Sequence, residues 1–530
     1  MAAVLIVMAA LYLGLPYRSL DSDVATFGLM GEDLYRLGYL PTLTYGQNYI
    51  FSLTPYLYTF FRFVLPADTP TPITLALAGS VLSLSGLWLV YESFLAVWRR
   101  SATPHPITPL LFCILLLASP LYIFDLSRNS SIELSLFTLG GLMFAASRIF
   151  AALHERKAPS PGWWVLAGAM FAYAAYSRPQ ICLVGLFLLL PLAYQLLRNV
   201  SASAGFRTVF WLLAGGVLGW LPLLLHRLWR APLWPFPTTL ATHLNSWHGI
   251  REACQMLGQE ILPAIFGLNA DHPLRYAVIA LWLGSALVAF FIVLKKRKAD
   301  ITVLDYAWLG GFLTLLLIMA LETNLTRNAT GRRYCLHIYL AAVWLFCRFA
   351  VRPGWRNYAV ALTAAVTLFS IPRWIELTRA EWQDNLWIKA VQNHLIPELR
   401  AQHAVILANY WDAYLLAFLA RGQLPIEAVP WDWVRTYGLL RENELRGRTL
   451  WFVSTGYGHS TADQLRAHFG PKVLEHKTDL PLQTKYFGRA CELWQLPADA
   501  DLVALMKKCQ PRYFTTPYPP GARHDLRKNL

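Results

Sequence analysis

The chain has 530 residues, of which 56% are hydrophobic and only 15% are charged. Soluble proteins carry about 25% charged residues, so this composition excludes an ordinary soluble globular protein. The formal net charge of +15 does not indicate nucleic-acid binding, because no zinc-finger spacing or RNA-binding motif accompanies it. Much of the excess lies in loops between apolar segments and in the tail, where it orients the chain and contacts anionic lipid.

Apolar segments recur from the N-terminus to about residue 371 and then stop. Inside a bilayer every backbone group must be hydrogen-bonded within its own segment, so these segments are predicted to be helices. We predict eleven membrane-spanning helices, at residues 2–17, 73–97, 107–124, 132–151, 162–177, 180–197, 207–226, 274–294, 302–321, 334–350 and 356–371. The fold class is therefore a polytopic α-helical membrane protein.

Charge predicts the orientation of these helices. Alternate connecting segments are short and basic, most clearly Lys295-Lys-Arg-Lys298, and the positive-inside rule places them in the cytoplasm. The opposite side then holds two long loops, 18–72 and 227–273, and everything after residue 372. The N-terminal segment has no basic start and no small-residue cleavage site, so we interpret it as an anchor with a cytoplasmic N-terminus.

The first external loop contains a predicted helix at 24–37. Apolar residues spaced by 3, 4 and 3 form one stripe, at Phe27, Met30, Leu34 and Leu37. Gly38 can end the helix in the left-handed conformation. The polar face carries Glu32, Asp33 and Arg36, and such a helix would lie along the membrane surface without crossing it.

Two roles are open for the acidic residues that begin this loop, Asp21 and Asp23. An aspartate or the intervening Ser22 is well placed to cap the helix, and Asp is a preferred N-cap residue. A carboxylate at the mouth of a membrane bundle can instead act as a general base. The two roles are compatible, because a capping bond uses only one carboxylate oxygen.

Further charged residues lie on the same side of the membrane. Asp125 and Arg128 lie between the third and fourth predicted spans, and Glu133 lies at the start of the fourth. Glu133 could assist chemistry or stabilise a helix N-terminus, and Arg128 could bind a phosphate or pair with a neighbouring acid. Arg327, Arg332, Arg333 and Tyr334 precede the tenth span. These arginines could bind phosphate bidentately or anchor the helix among lipid headgroups beside an interfacial tyrosine.

Three motifs in the first loop occur in a characteristic order: Asp23-Val-Ala25, Gly28-Leu-Met30 and Tyr45-Gly-Gln-Asn-Tyr49. Together they resemble the first external loop of the GT-C superfamily of polyprenyl-phosphate-dependent membrane glycosyltransferases. The chain is similar to the protein O-mannosyltransferase and aminoarabinose lipid A transferase families. Arg333-Tyr334 matches an Arg-Tyr pair of these relatives, whereas Val24 stands where they usually have glutamate, which puts a supporting acidic role there in doubt.

The resemblance implies an inverting glycosyltransferase of a bacterial inner membrane. It would move a sugar from a polyprenyl-phosphate carrier to a lipid, glycan or protein acceptor on the periplasmic face. Asp23 would be the base, and Glu133 or Asp125 would assist. The phosphate leaving group needs cationic stabilisation and no proton donor. Substrate-binding residues would be Asp21, Tyr45, Gln47, Tyr49, Arg128, Arg327, Arg332, Arg333 and Tyr334. We predict no cofactor and no dedicated metal site; participation of a divalent metal ion stays an alternative.

The predicted organisation is a transmembrane catalytic domain at 1–371, a periplasmic α/β domain at 372–510 and a flexible tail at 511–530. Strands and helices alternate after residue 372, which predicts a partly parallel sheet. The predicted strands lie at 404–408, 450–454 and 487–496, and the predicted helices at 410–419 and 461–469. We expect Asp412 on a solvated helix face, and Cys491 and Cys509 could pair on an oxidising side of the membrane.

Two other functional classes are weighed against a transferase. A transporter or flippase for a lipid-linked sugar predicts ionisable residues in mid-membrane and repeated half-structures. Here most charges lie at span ends, and no internal repeat is convincing. The other alternative is a catalytically inactive relative whose external domain binds a partner in the cell envelope.

Overall fold

The computed structural model describes residues 1–18, 20, 22–38, 52–101, 104–126, 131–155, 157–177, 179–199, 202–229, 246–267, 275–296, 302–321, 336–351, 354–421, 423–428, 449–454, 466, 474–476 and 492–496. Helices occupy most of these residues. The helices up to the middle of the chain are α1 (Ala2–Gly14), α2 (Ser22–Leu37), α3 (Thr54–Val64), α4 (Thr71–Trp98), α5 (Ile107–Leu117), α6 (Pro120–Leu126), α7 (Ser131–His154), α8 (Pro161–Ser177), α9 (Pro179–Asn199) and α10 (Ala202–Trp229).

The second half begins with two short helices of the second long loop, followed by longer ones. They are α11 (Trp247–Met256), α12 (Leu262–Ile265), α13 (Arg275–Lys296), α14 (Val303–Leu321), α15 (Leu336–Phe349), α16 (Arg356–Ala390), α17 (Ile396–Ala401) and α18 (Tyr410–Ala420). A π-helical turn joins α11 to α12, and another joins α16 to α17.

Each segment that was predicted to span the membrane contains a helix in the structure. Five helices of the described part are long and apolar enough to cross a bilayer, by length and composition alone. They lie at Thr71–Trp98, Ser135–His154, Gly205–Leu225, Val303–Leu321 and Arg356–Ala401. The total of eleven spans and the domain boundaries stay predictions.

Two helix pairs of the bundle approach closely at glycines. A Cβ atom on Gly86 of α4 would lie 2.6 Å from the backbone nitrogen of Phe137 in α7. Helices α8 and α10 meet in the same way, since a Cβ on Gly168 would lie 3.0 Å from the backbone nitrogen of Gly216. Small residues let helix backbones pack against each other where lipid supplies no hydrophobic driving force.

Helix α16 extends beyond the last predicted membrane span. The last span was expected to end at residue 371, but the helix continues through Pro372 to Ala390, about five further turns. The residues after Ile371 are more polar yet remain good helix formers. The loss of apolar character therefore marks the end of the predicted membrane segment and not the end of the helix.

The region after α17 forms a five-stranded sheet. Its strands are β1 (Val405–Ala408), β2 (Ile426–Ala428), β3 (Leu450–Ser454), β4 (Leu474–His476) and β5 (Glu492–Gln495), in the spatial order β2-β1-β3-β5-β4. Strand β1 is parallel to β2 and β3, and β5 is antiparallel to β3 and β4, as expected for a partly parallel sheet. Strand β5 lies within the predicted strand at 487–496. Residues 487–491, the helix predicted at 461–469 apart from residue 466, and Cys491 and Cys509 lie outside the described residues.

Helix α18 lies between the sheet and α2, and this contact corrects one expectation from the sequence. Asp412 is buried, although a solvated face was expected. The helix is covered on both sides, because Phe418 lies against Gly28 of α2 while other residues face the sheet. Asn409 caps the helix by accepting a hydrogen bond from the backbone of Asp412 at 3.2 Å.

Helix α2 has the predicted C-terminal end but not the predicted environment. Gly38 has a φ of +64°, the left-handed conformation expected of it. Glu32 and Asp33, assigned to a polar face, are both buried. The reason is that α2 lies between two partners, with α3 contacting it at Gly31 and α18 at Gly28. Asp23 lies in the first turn of the helix, which begins at Ser22.

Gly28 is predicted to be required for the contact between α2 and α18. In Gly28→Ala the new Cβ would lie 2.7 Å from Cδ2 of Phe418, so the ring must move. We expect the free energy of unfolding to fall by ~1–3 kcal/mol, measured by thermal or denaturant unfolding in detergent. Phe418→Leu should restore part of the loss. Gly216→Ala in α10, where nothing lies within 4 Å of the new methyl group, is the matched control, and an equal loss there would contradict the prediction.

Candidate functional site

The structure brings the segment before Asp23 next to the segment that carries Asp125. Arg18 stands between α1 and α2, and its guanidinium carbon lies 5.3 Å from the centre of the Phe124 ring. Phe124 directly precedes Asp125 in α6, and Asp125 is buried. Two residues that the sequence predicts to act together therefore belong to neighbouring segments at one end of the bundle.

A buried ion pair fixes this end of the bundle. Arg18 Nη1 lies 3.9 Å from Oε2 of Glu381, and the two side chains are only 2% and 1% exposed. Next to it, the backbone N–H of Tyr17 donates to Oδ1 of Asn385 at 2.9 Å. Glu381 and Asn385 lie in the part of α16 beyond residue 371, so this extension holds the start of the first external loop. Removing one partner of a buried ion pair strongly destabilises the folded protein, because the other charge stays buried.

The position of α6 follows from a break after α5. Pro120 is the first residue of α6, where its missing N–H costs nothing, and Ser119 Oγ accepts a hydrogen bond from the backbone of Tyr122 at 3.2 Å. The carbonyl of Leu117 at the break accepts a hydrogen bond from the indole N–H of Trp374 at 2.8 Å. Trp374 also packs on Phe124, with ring centres 5.3 Å apart. The break thus places the short helix with Asp125 against α16.

A second contact joins the starts of α7 and α15. Ser135 Oγ and His337 Nε2 are 2.8 Å apart, and both side chains are buried. Glu133 lies in α7 just before Ser135, and α15 begins shortly after the predicted phosphate-binding residue Arg333. The helix starts that flank these predicted residues are therefore neighbours. Sequence reasoning missed His337, because a single histidine at the start of an apolar helix follows no recognisable spacing.

Helix α6 also contacts α15, which links the two contacts into one region. The rings of Tyr122 and Tyr339 have centres 5.3 Å apart, and the hydroxyl of Tyr339 donates to the carbonyl of Leu115. Four parts of the chain thus meet at the end of the bundle predicted to face the periplasm. They are the segment that leads into α2, helix α6, and the starts of α7 and α15. We define this region as the convergence site.

The predicted site residues differ in how far the structure describes them. Asp125 is described with its side chain. Asp23 and Glu133 are described only as positions in α2 and α7. The remaining predicted residues lie outside the described part of the chain: Asp21, Tyr45, Gln47, Tyr49, Arg128, Arg327, Arg332, Arg333 and Tyr334. Within the described residues, no group of three or more His, Cys, Asp and Glu side chains is placed to hold a metal ion.

The solved structures that are similar to this chain include two of one protein. The chain is similar to the crystal structure of ArnT from Cupriavidus metallidurans bound to undecaprenyl phosphate, with a TM-score of 0.45 and 13% identity over 94% of this chain and 98% of that one. It is also similar to the apo state of the same protein, with a TM-score of 0.43 and 13% identity over 94% and 97% of the two chains. The aminoarabinose lipid A transferase family that the sequence motifs resemble is the family of these neighbours. No protein-family model and no curated protein matches the chain.

Proposed function

We propose that this chain is an inverting glycosyltransferase that moves a sugar from a polyprenyl-phosphate carrier to an acceptor on the periplasmic face of a bacterial inner membrane. The observation that carries the proposal is the convergence site. Four segments that were assigned to one reaction from sequence motifs meet at one end of a helical bundle, through Arg18 and Phe124, Tyr122 and Tyr339, and Ser135 and His337.

In the proposed reaction a carboxylate acts as the general base, and several cations stabilise the leaving group. The acceptor hydroxyl attacks the anomeric carbon and gives its proton to Asp23, while the bond between that carbon and the phosphate oxygen breaks. Polyprenyl phosphate leaves as an anion, and Arg333 with its neighbours Arg327 and Arg332 stabilises the developing charge through guanidinium forks. One face of the sugar is attacked as the other loses the phosphate, so the configuration inverts.

A second carboxylate is proposed to assist the base. Asp125 and Glu133 are the two candidates, and they belong to neighbouring elements, α6 and α7. Buried carboxylates are costly inside a membrane protein and mark functional sites there, which favours testing Asp125 first. Participation of a divalent metal ion is an alternative, and turnover after treatment with a chelator tests it.

The test is turnover of purified full-length protein in lipid. A panel of radiolabelled polyprenyl-phosphate sugars would be the donors and cell-envelope extract the acceptor, and release of free polyprenyl phosphate would be measured together with label transferred. Transfer from at least one donor, with inversion at the anomeric carbon, is the expected result. Movement of the intact donor between leaflets without bond cleavage would instead show a flippase. Absence of both, with an acceptor known to be present, would leave the inactive relative.

A further inference from the structure

Helix α3 has an apolar face that the described part of the chain leaves uncovered. Phe60, Phe63 and Val64 are 57%, 71% and 58% exposed. A short turn later Thr71 begins α4, which is long and apolar enough to cross a membrane. Continuity of the chain therefore places this face where α4 reaches the membrane surface. An amphipathic helix with exposed aromatic residues at that depth inserts its apolar side between lipid headgroups and acyl chains.

The other side of α3 contributes to a group of three arginines. Arg62 Nη1 and Arg421 Nη2 both donate to the carbonyl oxygen of Thr69, at 3.2 and 3.0 Å. Arg36 Nη1 reaches the carbonyl oxygen of Arg421 at 3.5 Å. Three guanidinium groups, from α2, α3 and the end of α18, thus meet beside the turn that leads into the membrane. We call them the arginine cluster.

In the described structure, the carboxylate of Glu32 pairs with two of these three cations. Glu32 lies 2.5 Å from Arg36 Nε and 3.4 Å from Arg62 Nε, and it accepts a hydrogen bond from the hydroxyl of Tyr58. Burial, with the charge of Glu32 and that hydrogen bond, raises the pKa of Tyr58 well above its usual value, so the hydroxyl stays neutral. Three arginines and one glutamate leave an excess of two positive charges among these groups.

Arg421 occupies an unusual backbone position in this cluster. It has φ 50° and ψ 34°, the left-handed conformation at the end of α18, where glycine is the common residue. Within the described residues its buried Nε has no hydrogen-bond partner. Burial lowers the pKa of Arg421, the charges of Arg62 and Arg36 lower it further, and the charge of Glu32 opposes them. Strained non-glycine residues of this kind concentrate at functional sites.

We propose that the arginine cluster binds the phosphate of an anionic membrane lipid whose acyl chains lie against Phe60, Phe63 and Val64. Guanidinium forks match phosphate oxygens, and the cluster has two positive charges to be neutralised. The Arg36 side chain is 21% exposed, so a headgroup can reach the cluster from its edge. The apolar face of α3 selects a lipid over a soluble phosphate. This site is separate from the proposed sugar transfer and does not depend on it.

The test compares lipid retention by wild type and Arg421→Gly. Glycine adopts the left-handed conformation without strain, so the variant removes the guanidinium while keeping the backbone. Full-length protein would be placed in nanodiscs of phosphatidylcholine with phosphatidylglycerol, and bound phosphatidylglycerol would be counted by native mass spectrometry. We expect affinity for phosphatidylglycerol to fall about fivefold in the variant.

Arg400→Gln is the matched control, because it removes an exposed arginine of α17 that bonds only a neighbouring glutamine side chain in the described structure. It should retain as much phosphatidylglycerol as wild type, and both variants should keep the wild-type unfolding temperature. Equal retention by wild type and Arg421→Gly would overturn the proposal. Wild type in pure phosphatidylcholine discs would also be given inorganic phosphate. If it binds that phosphate but retains no phosphatidylglycerol in the mixed discs, the cluster is a site for a soluble anion and not for a lipid.

Discussion

Replacing Asp23 by asparagine is expected to lower sugar transfer by about 10²–10⁴-fold, the range that a positioned general base contributes. Asparagine keeps the size of the side chain but cannot accept the proton of the acceptor hydroxyl. Binding of the donor should change little, because the phosphate is assigned to arginines of another segment. The loss should therefore appear in kcat, measured with the radiolabelled donor that wild type uses.

The structural alternative for Asp23 makes a different prediction. Asp23 lies in the first turn of α2, where a negative charge stabilises the helix by about 0.3–1 kcal/mol. If that were its only role, Asp23→Asn would lower the unfolding temperature slightly and leave turnover intact. Asp68→Asn, at an exposed position in the turn between α3 and α4, controls for loss of an external carboxylate. Wild-type turnover by Asp23→Asn would remove Asp23 from the chemistry.

The helices of the bundle could be predicted from the sequence because their cause is local. An apolar run in a bilayer has one way to satisfy its backbone, and all eleven predicted segments contain helix. The spans predicted at 162–177 and 180–197 correspond to two separate helices, α8 and α9, and Pro179 begins the second one. The division of the third segment into α5 and α6 was missed, although Ser119 and Pro120 provide a local signal for a helix start.

The environment of α2 could not be predicted, because its causes are distant in sequence. The polar face with Glu32 and Asp33 is buried because α3 and α18 cover it, and Phe418 of α18 lies about three quarters of the chain length after Gly28. Gly28 belongs to one of the family motifs, and its close contact with Phe418 is the physical reason for a glycine at this position. The same limit applies to Arg18 and Glu381, whose pairing depends on the extension of α16 beyond the apolar segment.

The second large effect, on the free energy of unfolding, is expected at a buried ion pair on the opposite side of the bundle. Asp305, in the first turn of α14, is fully buried, and its carboxylate accepts two hydrogen bonds from Arg348, from Nε at 3.1 Å and from Nη2 at 3.0 Å. It also accepts from the indole of Trp344 at 2.9 Å. Thr302 completes a capping box, because its backbone N–H donates to Asp305 at 2.9 Å while its Oγ1 accepts from the backbone of Asp305 at 3.3 Å. The pair thus joins α14 to α15 at their predicted cytoplasmic ends, where it has a structural role and gives no support to transport through the bundle.

Asp305→Asn is expected to lower the free energy of unfolding by ~3–5 kcal/mol, because the buried guanidinium of Arg348 would lose the carboxylate that it pairs with at 3.0 Å. The measurement is reversible unfolding in mixed micelles. The double variant Asp305→Asn with Arg348→Leu should lose less than Asp305→Asn alone, since it removes the buried positive charge as well as the attraction. Glu155→Gln, which breaks an exposed pair with Arg100, should change nothing measurable. A loss in Asp305→Asn no larger than that of this control would show that water or lipid headgroups reach Arg348, and that the carboxylate is not what holds α14 to α15.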